Sequence, residues 1–167
     1  MALISLIFII LNIFYWLNWI PPVPLSLKHI GIYHHVKLRD NSYLLRYEKP
    51  LWYQLFKSDD RDFYYSPGDS VFCFVSVFAP TKLTKKILHH WQIFSNRNDH
   101  WITTDLNGYE LMGGREGGYR GYTFKRNLSK GKWRVNIITE DNKILGRIIF
   151  EIKSPQYKQK IWKTIYK

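Results

Sequence analysis

The chain lacks the residues on which several kinds of fold and chemistry depend. Cys73 is the single cysteine in 167 residues, which excludes an intrachain disulfide and a thiolate metal cluster within one chain. The sequence has no phosphate-binding Gly-Lys-Ser/Thr loop, no serine in a nucleophile-elbow context and no HExxH metal motif. We therefore predict a protein that is not an enzyme, with no catalytic residue, no metal ligand and no cofactor to assign.

Charge is absent from residues 2–20 (ALISLIFIILNIFYWLNWI). As a helix these 19 residues would reach about 28 Å, close to the ~30 Å hydrocarbon core of a bilayer. Tyr15, Trp16 and Trp19 cluster at one end, where amphipathic rings prefer the head-group level. The pattern predicts one transmembrane helix over residues 1–20. Two asparagines within the run leave a buried core helix as the alternative.

Three prolines follow the apolar run and predict a stiff, extended spacer over residues 21–30. The nearest basic residues, Lys28, Lys37 and Arg39, all come after the run. The apolar run predicts a membrane protein. Because cytoplasmic loops of membrane proteins carry the excess of Lys and Arg, the distribution of basic residues favours the cytoplasm for the soluble domain. A cleaved signal peptide is disfavoured, since the run has neither a basic start nor a small-residue cleavage region.

Beyond the spacer, short segments rich in Val, Ile, Tyr, Phe and Trp recur between turn signals, which is typical of strands. Their number and spacing predict an antiparallel two-sheet, immunoglobulin-like sandwich over residues 31–152. Turns are expected at Asn107-Gly108 and at Asp141-Asn142, the latter closing a hairpin. Residues 50–57 fit a helical turn and a loop equally well. The predicted strands are 32–38, 43–48, 70–79, 85–94, 101–106, 119–125, 132–139 and 144–152.

The segment 153–167 is a basic, aromatic tail with five lysines and no acid, in a chain whose net charge is +12. Its apolar residues recur at helical spacing between the lysines, which predicts an interfacial amphipathic helix. Positive charge beside a bilayer favours anionic lipid head groups as partners. The residues expected at the membrane surface are Lys158, Lys160, Trp162, Lys163, Tyr166 and Lys167.

The glycine-rich stretch 113–121 allows two interpretations. A bulged hairpin is the structural one. In the functional one, the stretch is a recognition loop whose arginines bind carboxylate or phosphate and whose tyrosines offer stacking surfaces. Trp91 and Trp133 lie in alternating strands and are expected in the core, whereas two other aromatic residues are freer. The candidate ligand-binding residues are Arg115, Tyr119, Arg120, Tyr122, Trp101 and Tyr109.

Histidines and aspartates invite a metal hypothesis that the spacing does not favour. The adjacent pairs His34-His35 and His89-His90 point to opposite faces of a strand, so each pair offers one imidazole to a given side. We expect packing and surface roles for these histidines and for His100. Asp59, Asp60 and Asp62 are interrupted by an arginine and predict a solvated turn. Cys73 lies in an apolar strand, where a thiol is inert.

Several stretches resemble a known family. They are NWIPPVPLSLKHIGIY, HHWQIF, WITTDLNGYELMGGREGGYRGYTF and KGKWRVNIITEDNKILGRIIFEI, which together cover most of residues 18–152. In these the chain resembles the bacterial family called domain of unknown function 2914. The resemblance implies a β-domain that follows membrane spans, with no established activity, and it places the chain in the bacterial inner membrane.

Three functions compete at this stage. The first is a membrane-anchored, non-enzymatic β-sandwich module that contacts the bilayer, anionic lipid head groups or another membrane protein. The alternative is an envelope carbohydrate-binding module that stacks sugars on its exposed aromatic rings. Nucleic acid is disfavoured as a partner, since basic and aromatic composition is present without any recognised motif.

Overall fold

The structure, a computed structural model, describes residues 2–17, 25–40, 42–49, 58–79, 84–112, 118–155 and 160–167. Residues 50–57, for which a helical turn or a loop was expected, lie outside this part. The described residues form one helix, α1, and eleven strands. Their bounds are α1 Ala2–Trp16, β1 Ser26–Tyr33, β2 His35–Arg39, β3 Ser42–Glu48, β4 Asp62–Tyr64, β5 Val71–Phe78, β6 Thr84–Ser95, β7 His100–Met112, β8 Tyr119–Lys125, β9 Gly131–Thr139, β10 Ile144–Lys153 and β11 Trp162–Tyr166.

The middle layer is an antiparallel sheet in the order β1-β5-β8. Its central strand β5, VFCFVSVF, has apolar side chains on both faces, unlike a strand with one face in water. One face carries Val71, Cys73, Val75 and Val77, all fully buried. The other face carries Phe74, which is also fully buried. The middle sheet is therefore covered on both sides.

A five-stranded sheet in the order β4-β10-β9-β6-β7 covers the first face. Alternation along β9 turns Trp133, Val135 and Ile137 inward and leaves the residues between them on the opposite face. The larger core lies between this sheet and the middle sheet, and burial of its apolar side chains is the main source of stability. Trp91 of β6 is fully buried in it, so the core positions expected for Trp91 and Trp133 are confirmed.

A smaller sheet in the order β11-β3-β2 covers the second face. Leu45 and Tyr47 of β3 pack with Tyr33 and Phe74 in a second core, whose rings meet edge to face. Backbone hydrogen bonds of 2.8 and 3.0 Å join Tyr43 to Lys167 and extend the pairing of β3 with β11 beyond the strand ends. The last strand of the chain is thus the edge of a sheet whose other strands come early in the sequence.

The predicted all-β class is confirmed, but the two-sheet, immunoglobulin-like sandwich is not. The described residues form three sheets, because β5 and its neighbours bury apolar side chains on both faces and need a second cover. The unbroken apolar run of β5 was the signal for this arrangement. The first strand also begins at Ser26, inside the spacer predicted for residues 21–30.

Helix α1 has 15 residues, about 22 Å at 1.5 Å per residue. Within the described part of the chain, no helix is both long and apolar enough to cross a bilayer, so the transmembrane helix predicted for residues 1–20 is not confirmed. Residues 18–20 lie outside the described part. From Leu3 to Leu17 every side chain is exposed, and the one amide among them, Asn12, donates to the carbonyl of Phe8 at 2.8 Å.

Two local predictions are wrong. The tail segment expected as an amphipathic helix is strand β11, because pairing with β3 satisfies its backbone and turns Ile165 toward the second core. The turn expected at Asn107-Gly108 lies inside β7. Gly108 is needed for close packing instead, since a Cβ there would come 2.4 Å from Leu88 Cδ2. The hairpin at Asp141-Asn142 is confirmed by the antiparallel pairing of β9 with β10.

Polar hydrogen bonds cross the larger core at Thr123 of β8. Its Oγ1 accepts a hydrogen bond from Trp91 Nε1 at 3.0 Å and forms another with His89 Nδ1 at 2.8 Å. His89 is fully buried, and its Nε2 has no hydrogen-bond partner among the described residues. Burial lowers the pKa of His89 to about 4, so the imidazole is neutral in the folded protein at pH 7.

The buried imidazole makes stability depend on pH. The pKa of His89 is about 4 when folded and about 6.5 when unfolded, so the unfolded chain binds the proton first as the pH falls. We expect this contribution to be complete above pH 6.5 and to be lost between pH 6.5 and 4, by about 3 kcal/mol. Urea unfolding in an uncharged detergent measures it. The loss should disappear in His89→Gln and persist in His100→Gln, which changes an exposed histidine; equal losses in both variants would contradict the assignment.

Candidate functional site

The six candidate ligand residues do not converge. Arg115 lies outside the described part of the chain. Tyr109 of β7 and Tyr119 of β8 turn inward and pack against the larger core, contrary to the expectation for both. The ring of Tyr109 lies against Gly121, where a Cβ would come 2.6 Å from it, and burial raises the pKa of Tyr109. Two of the predicted binding rings therefore serve packing.

Arg120 and Tyr122 of β8 lie on the face of the middle sheet that is turned toward β3. Arg120 lies 5.9 Å from the ring centre of Tyr43, whose hydroxyl donates to the Arg120 carbonyl at 3.4 Å. Tyr122 packs 5.8 Å from Phe72, and Phe124 beyond it is half-exposed. These residues form an aromatic strip that the small sheet covers only in part.

Trp101 lies elsewhere, on the outer face of the five-stranded sheet. The guanidinium of Arg134 stacks 4.2 Å above its ring centre, and Phe94 meets it edge to face at 5.2 Å. One face of the indole is therefore already occupied by a cation. This arrangement reduces the area that Trp101 could offer to a sugar ring.

The small sheet carries a basic outer face. In an antiparallel ladder, residues directly opposite one another share a face, and the register aligns His35 with Arg46 and Thr164, and Lys37 with Leu44 and Tyr166. We call this surface the basic face. Among its side chains, those that are exposed and either cationic or aromatic are Lys37, Arg39, Arg46, Trp162 and Tyr166.

Asp40 and Glu48 are described carboxylates that lie beside the basic face. Asp40 lies 3.5 Å from Arg39 Nε, and Glu48 turns toward His34 and Lys160. The solvent-exposed pair with Asp40 offsets only part of the positive charge of the face, and its two rings are exposed at the same surface. Such a combination of cations and amphipathic rings is suited to the head-group region of a bilayer.

The predicted membrane-surface residues divide into three groups. Trp162, Lys163, Tyr166 and Lys167 are exposed. Lys158 lies outside the described part. Lys160 points inward, where Nζ donates to the Tyr64 carbonyl at 2.6 Å. Lys160 is therefore a structural residue in this fold.

Lys160 belongs to a buried charged cluster around His34. The Nδ1 atom of His34 lies 2.8 Å from Asp60 Oδ2, and its ring stacks on Phe63 with 3.8 Å between the ring centres. Lys160 Nζ approaches His34 Nε2 at 3.3 Å and Glu48 Oε1 at 3.4 Å. Asp60 is fully buried, and both of its oxygens accept from the Glu48 backbone N–H at 3.1 Å.

A solvated turn was predicted for Asp59, Asp60 and Asp62. Asp62 is exposed, but Asp59 is buried, and the fully buried Asp60 anchors the cluster. Within the described residues, no group of three His, Cys, Asp or Glu side chains could hold a metal ion. His34 and Asp60 have the spacing of an acid–base pair, yet Phe63 and Trp162 cover the imidazole. The cluster holds the segment before β11 against β3 and β4.

The described chain is thus a mainly antiparallel β-protein with an exposed apolar helix and a basic outer face. Residues 84–152 match the model of a family described as protein of unknown function (DUF2914), so the resemblance to that family is confirmed for this segment. The matched segment runs from β6 to β10 and includes most of the five-stranded sheet.

Other comparisons add little. No curated protein matches the chain. Among solved structures, it is similar to Pseudomonas fluorescens alkylpurine DNA glycosylase AlkC bound to DNA containing an abasic site analog, with a TM-score of 0.45 and 9% sequence identity. The similarity covers 84% of this chain and 33% of that one, so the chain spans about a third of the glycosylase. That score is too low to define a shared fold.

Removal of the Lys160 ammonium should release the last strand. In Lys160→Met the carbonyl of Tyr64 and the carboxylate of Glu48 lose their cation, which we expect to cost about 1–3 kcal/mol. Amide hydrogen exchange in β11 should then accelerate roughly 10-fold to 100-fold. Lys163→Met, which removes an exposed lysine of the same strand, is the control. Unchanged exchange in Lys160→Met would refute the anchoring role.

Proposed function

We propose that the protein is a non-enzymatic β-module that attaches to a membrane through α1 and rests its basic face on anionic lipid head groups. This proposal rests mainly on the exposure of the apolar side chains of α1. From Leu3 to Leu17 every side chain is exposed, and none of residues 2–20 is charged. Fifteen residues of exposed apolar helix are costly in water and favourable in a lipid environment.

The internal hydrogen bond of Asn12 supports the same environment. In lipid every polar group must find a partner within the protein, and Asn12 Nδ2 bonds to the helix carbonyl four residues earlier. The apolar sequence extends to residue 20, so we propose that the segment 2–20 enters the hydrocarbon region as the anchor.

The basic face supplies the second contact. Each Lys or Arg near an anionic leaflet contributes about 1 kcal/mol, and Lys37, Arg39 and Arg46 lie together on one small sheet. Trp162 and Tyr166 add rings that prefer the interface. The three cations lie on β2 and β3, which are close in sequence to the anchor, and this favours contact with the same bilayer. We propose the cytoplasmic side for the module, because Lys28, Lys37 and Arg39 follow the apolar segment closely.

A charge in the middle of the helix should detach the protein. Ile9→Lys places an ammonium at the centre of α1, which costs about 3 kcal/mol in a bilayer and should lower partition into uncharged vesicles by about 100-fold. Flotation with phosphatidylcholine vesicles measures this. Ile144→Lys, at an equally exposed isoleucine of β10, should float like the parent chain. Flotation of Ile9→Lys at the parental level would exclude anchoring by α1.

Contact of the basic face with lipid can be tested separately in the Ile9→Lys background. Replacing Lys37, Arg39 and Arg46 by Gln should weaken binding to phosphatidylglycerol-containing vesicles by on the order of 100-fold at low salt. The control replaces Arg97, Lys130 and Lys143, three exposed cations in turns and strand ends away from the basic face, so the net charge is matched. Equal weakening by both triple variants would show that only net charge matters.

A further inference from the structure

Two arginines lie side by side on the outer face of the five-stranded sheet. Arg147 of β10 is paired with Asn136 of β9, and Arg134 lies two residues before Asn136 on the same face. Arg134 and Arg147 are therefore diagonal neighbours, with Cα atoms about 7–8 Å apart in such a ladder. This face points away from the middle sheet and from both cores.

Both guanidinium groups are fixed by buried amides. Arg134 Nε donates to Gln92 Oε1 at 2.7 Å, and Arg147 Nε donates to Asn136 Oδ1 at 2.6 Å. Asn136 Nδ2 donates to the same Gln92 oxygen at 3.0 Å, which joins the two arginines in one network. Gln92 and Asn136 are 7% and 4% exposed, so the platform beneath the arginines is rigid.

From Gln92 of β6 the hydrogen-bond network continues to β7. Gln92 Nε2 donates to Thr103 Oγ1 at 3.2 Å, and the Thr103 hydroxyl lies 2.7 Å from His90 Nε2. Thr103 Oγ1 thus accepts from Gln92 and forms a second hydrogen bond with His90 Nε2. Burial and then the charge of Arg134 lower the pKa of His90.

In the part of the chain that the structure describes, the charges of Arg134 and Arg147 are not paired with a carboxylate. Among the described residues, neither Arg134 nor Arg147 forms an ion pair, and the terminal nitrogens of both make no hydrogen bond. Glu151, the carboxylate on the same face of β10, lies 3.4 Å from Lys153 Nζ. The pKa of Arg134 is lowered by burial and by the charge of Arg147. The fold thus holds two like charges close together. The Nε–H group of each arginine donates to a buried amide, and its terminal N–H groups can bind a ligand.

We propose that Arg134 and Arg147 form a binding site for a phosphate dianion, such as the terminal group of a phosphate monoester. Guanidinium groups present paired N–H donors that match phosphate oxygens, and two fixed cations match a charge of about −2. The amides of Gln92 and Asn136 act as positioning residues, because they orient the arginines without contact to the ligand. Trp101 closes one side of the site by stacking on Arg134.

This proposal is independent of membrane attachment, since the site lies on a different sheet from the basic face. The experiment uses the full chain in an uncharged detergent at constant ionic strength. Inorganic phosphate is titrated at a pH above its second pKa of about 6, and the Nε–Hε signals of arginine are followed by NMR. Acetate is titrated in parallel, because a carboxylate offers one charge where phosphate offers about two.

We expect saturable shifts of the Arg134 and Arg147 signals with phosphate and at least roughly 10-fold weaker binding of acetate. Arg134→Gln and Arg147→Gln should each weaken phosphate binding roughly 10-fold to 100-fold, the value of one charge-assisted contact. Arg147 is exposed, so its variant tests the site without disturbing the core. Arg97→Gln, at an exposed arginine of the turn between β6 and β7, should bind phosphate as the parent chain does.

Three results would overturn the proposal. The first is the absence of saturable shifts at Arg134 and Arg147. The second is an equal loss of binding in Arg97→Gln and Arg147→Gln, which would reveal attraction by net charge alone. The third is equal affinity for acetate and phosphate, which would remove the dianion as the ligand class.

Discussion

The fold depends on a constraint in strand β5, whose apolar side chains are buried on both faces. A sheet with such a central strand cannot leave either face in water, so it needs one cover on each side. The five-stranded sheet supplies the first cover and the small sheet β11-β3-β2 supplies the second. The surfaces with potential function, the sheet face around Arg134 and the basic face, are the outer sides of these two covers. Both therefore rest on rigid layers whose inner sides are fixed by packing.

Buried polar groups also fix the position of each covering sheet through hydrogen bonds. Across the larger core, Thr123 of β8 bonds to His89 and Trp91 of β6, and in the small sheet the cluster of His34, Asp60 and Lys160 brings distant segments together. Buried polar groups cost free energy unless they are paired, so these bonds specify one arrangement of the layers more than they add stability.

Local patterns were sufficient for much of the fold. Strand β8 was predicted with its observed bounds, and the hairpin of β9 and β10 followed from alternation and a turn of two polar residues. Features that depend on distant partners were not predicted. Asp60 looks like part of a solvated turn until His34 is brought to it, and the apolar positions of β11 fit a helix until β3 offers a free edge. Of the candidate binding residues, Tyr109 was misplaced because its inward direction depends on the space left by Gly121. The arginine pair was not predicted because its members belong to different strands.

The pairing of Tyr43 with Lys167 has a consequence for how the molecule is made. The strands β2 and β3 form a local hairpin, but the third strand of their sheet, β11, follows β10 in the sequence. During synthesis one edge of β3 therefore stays unpaired until β11 has been made. Contacts of such high sequence separation form slowly, and an open strand edge invites pairing with other chains in the meantime. The order of synthesis thus leaves β3 open to pairing with other chains for as long as β11 is missing.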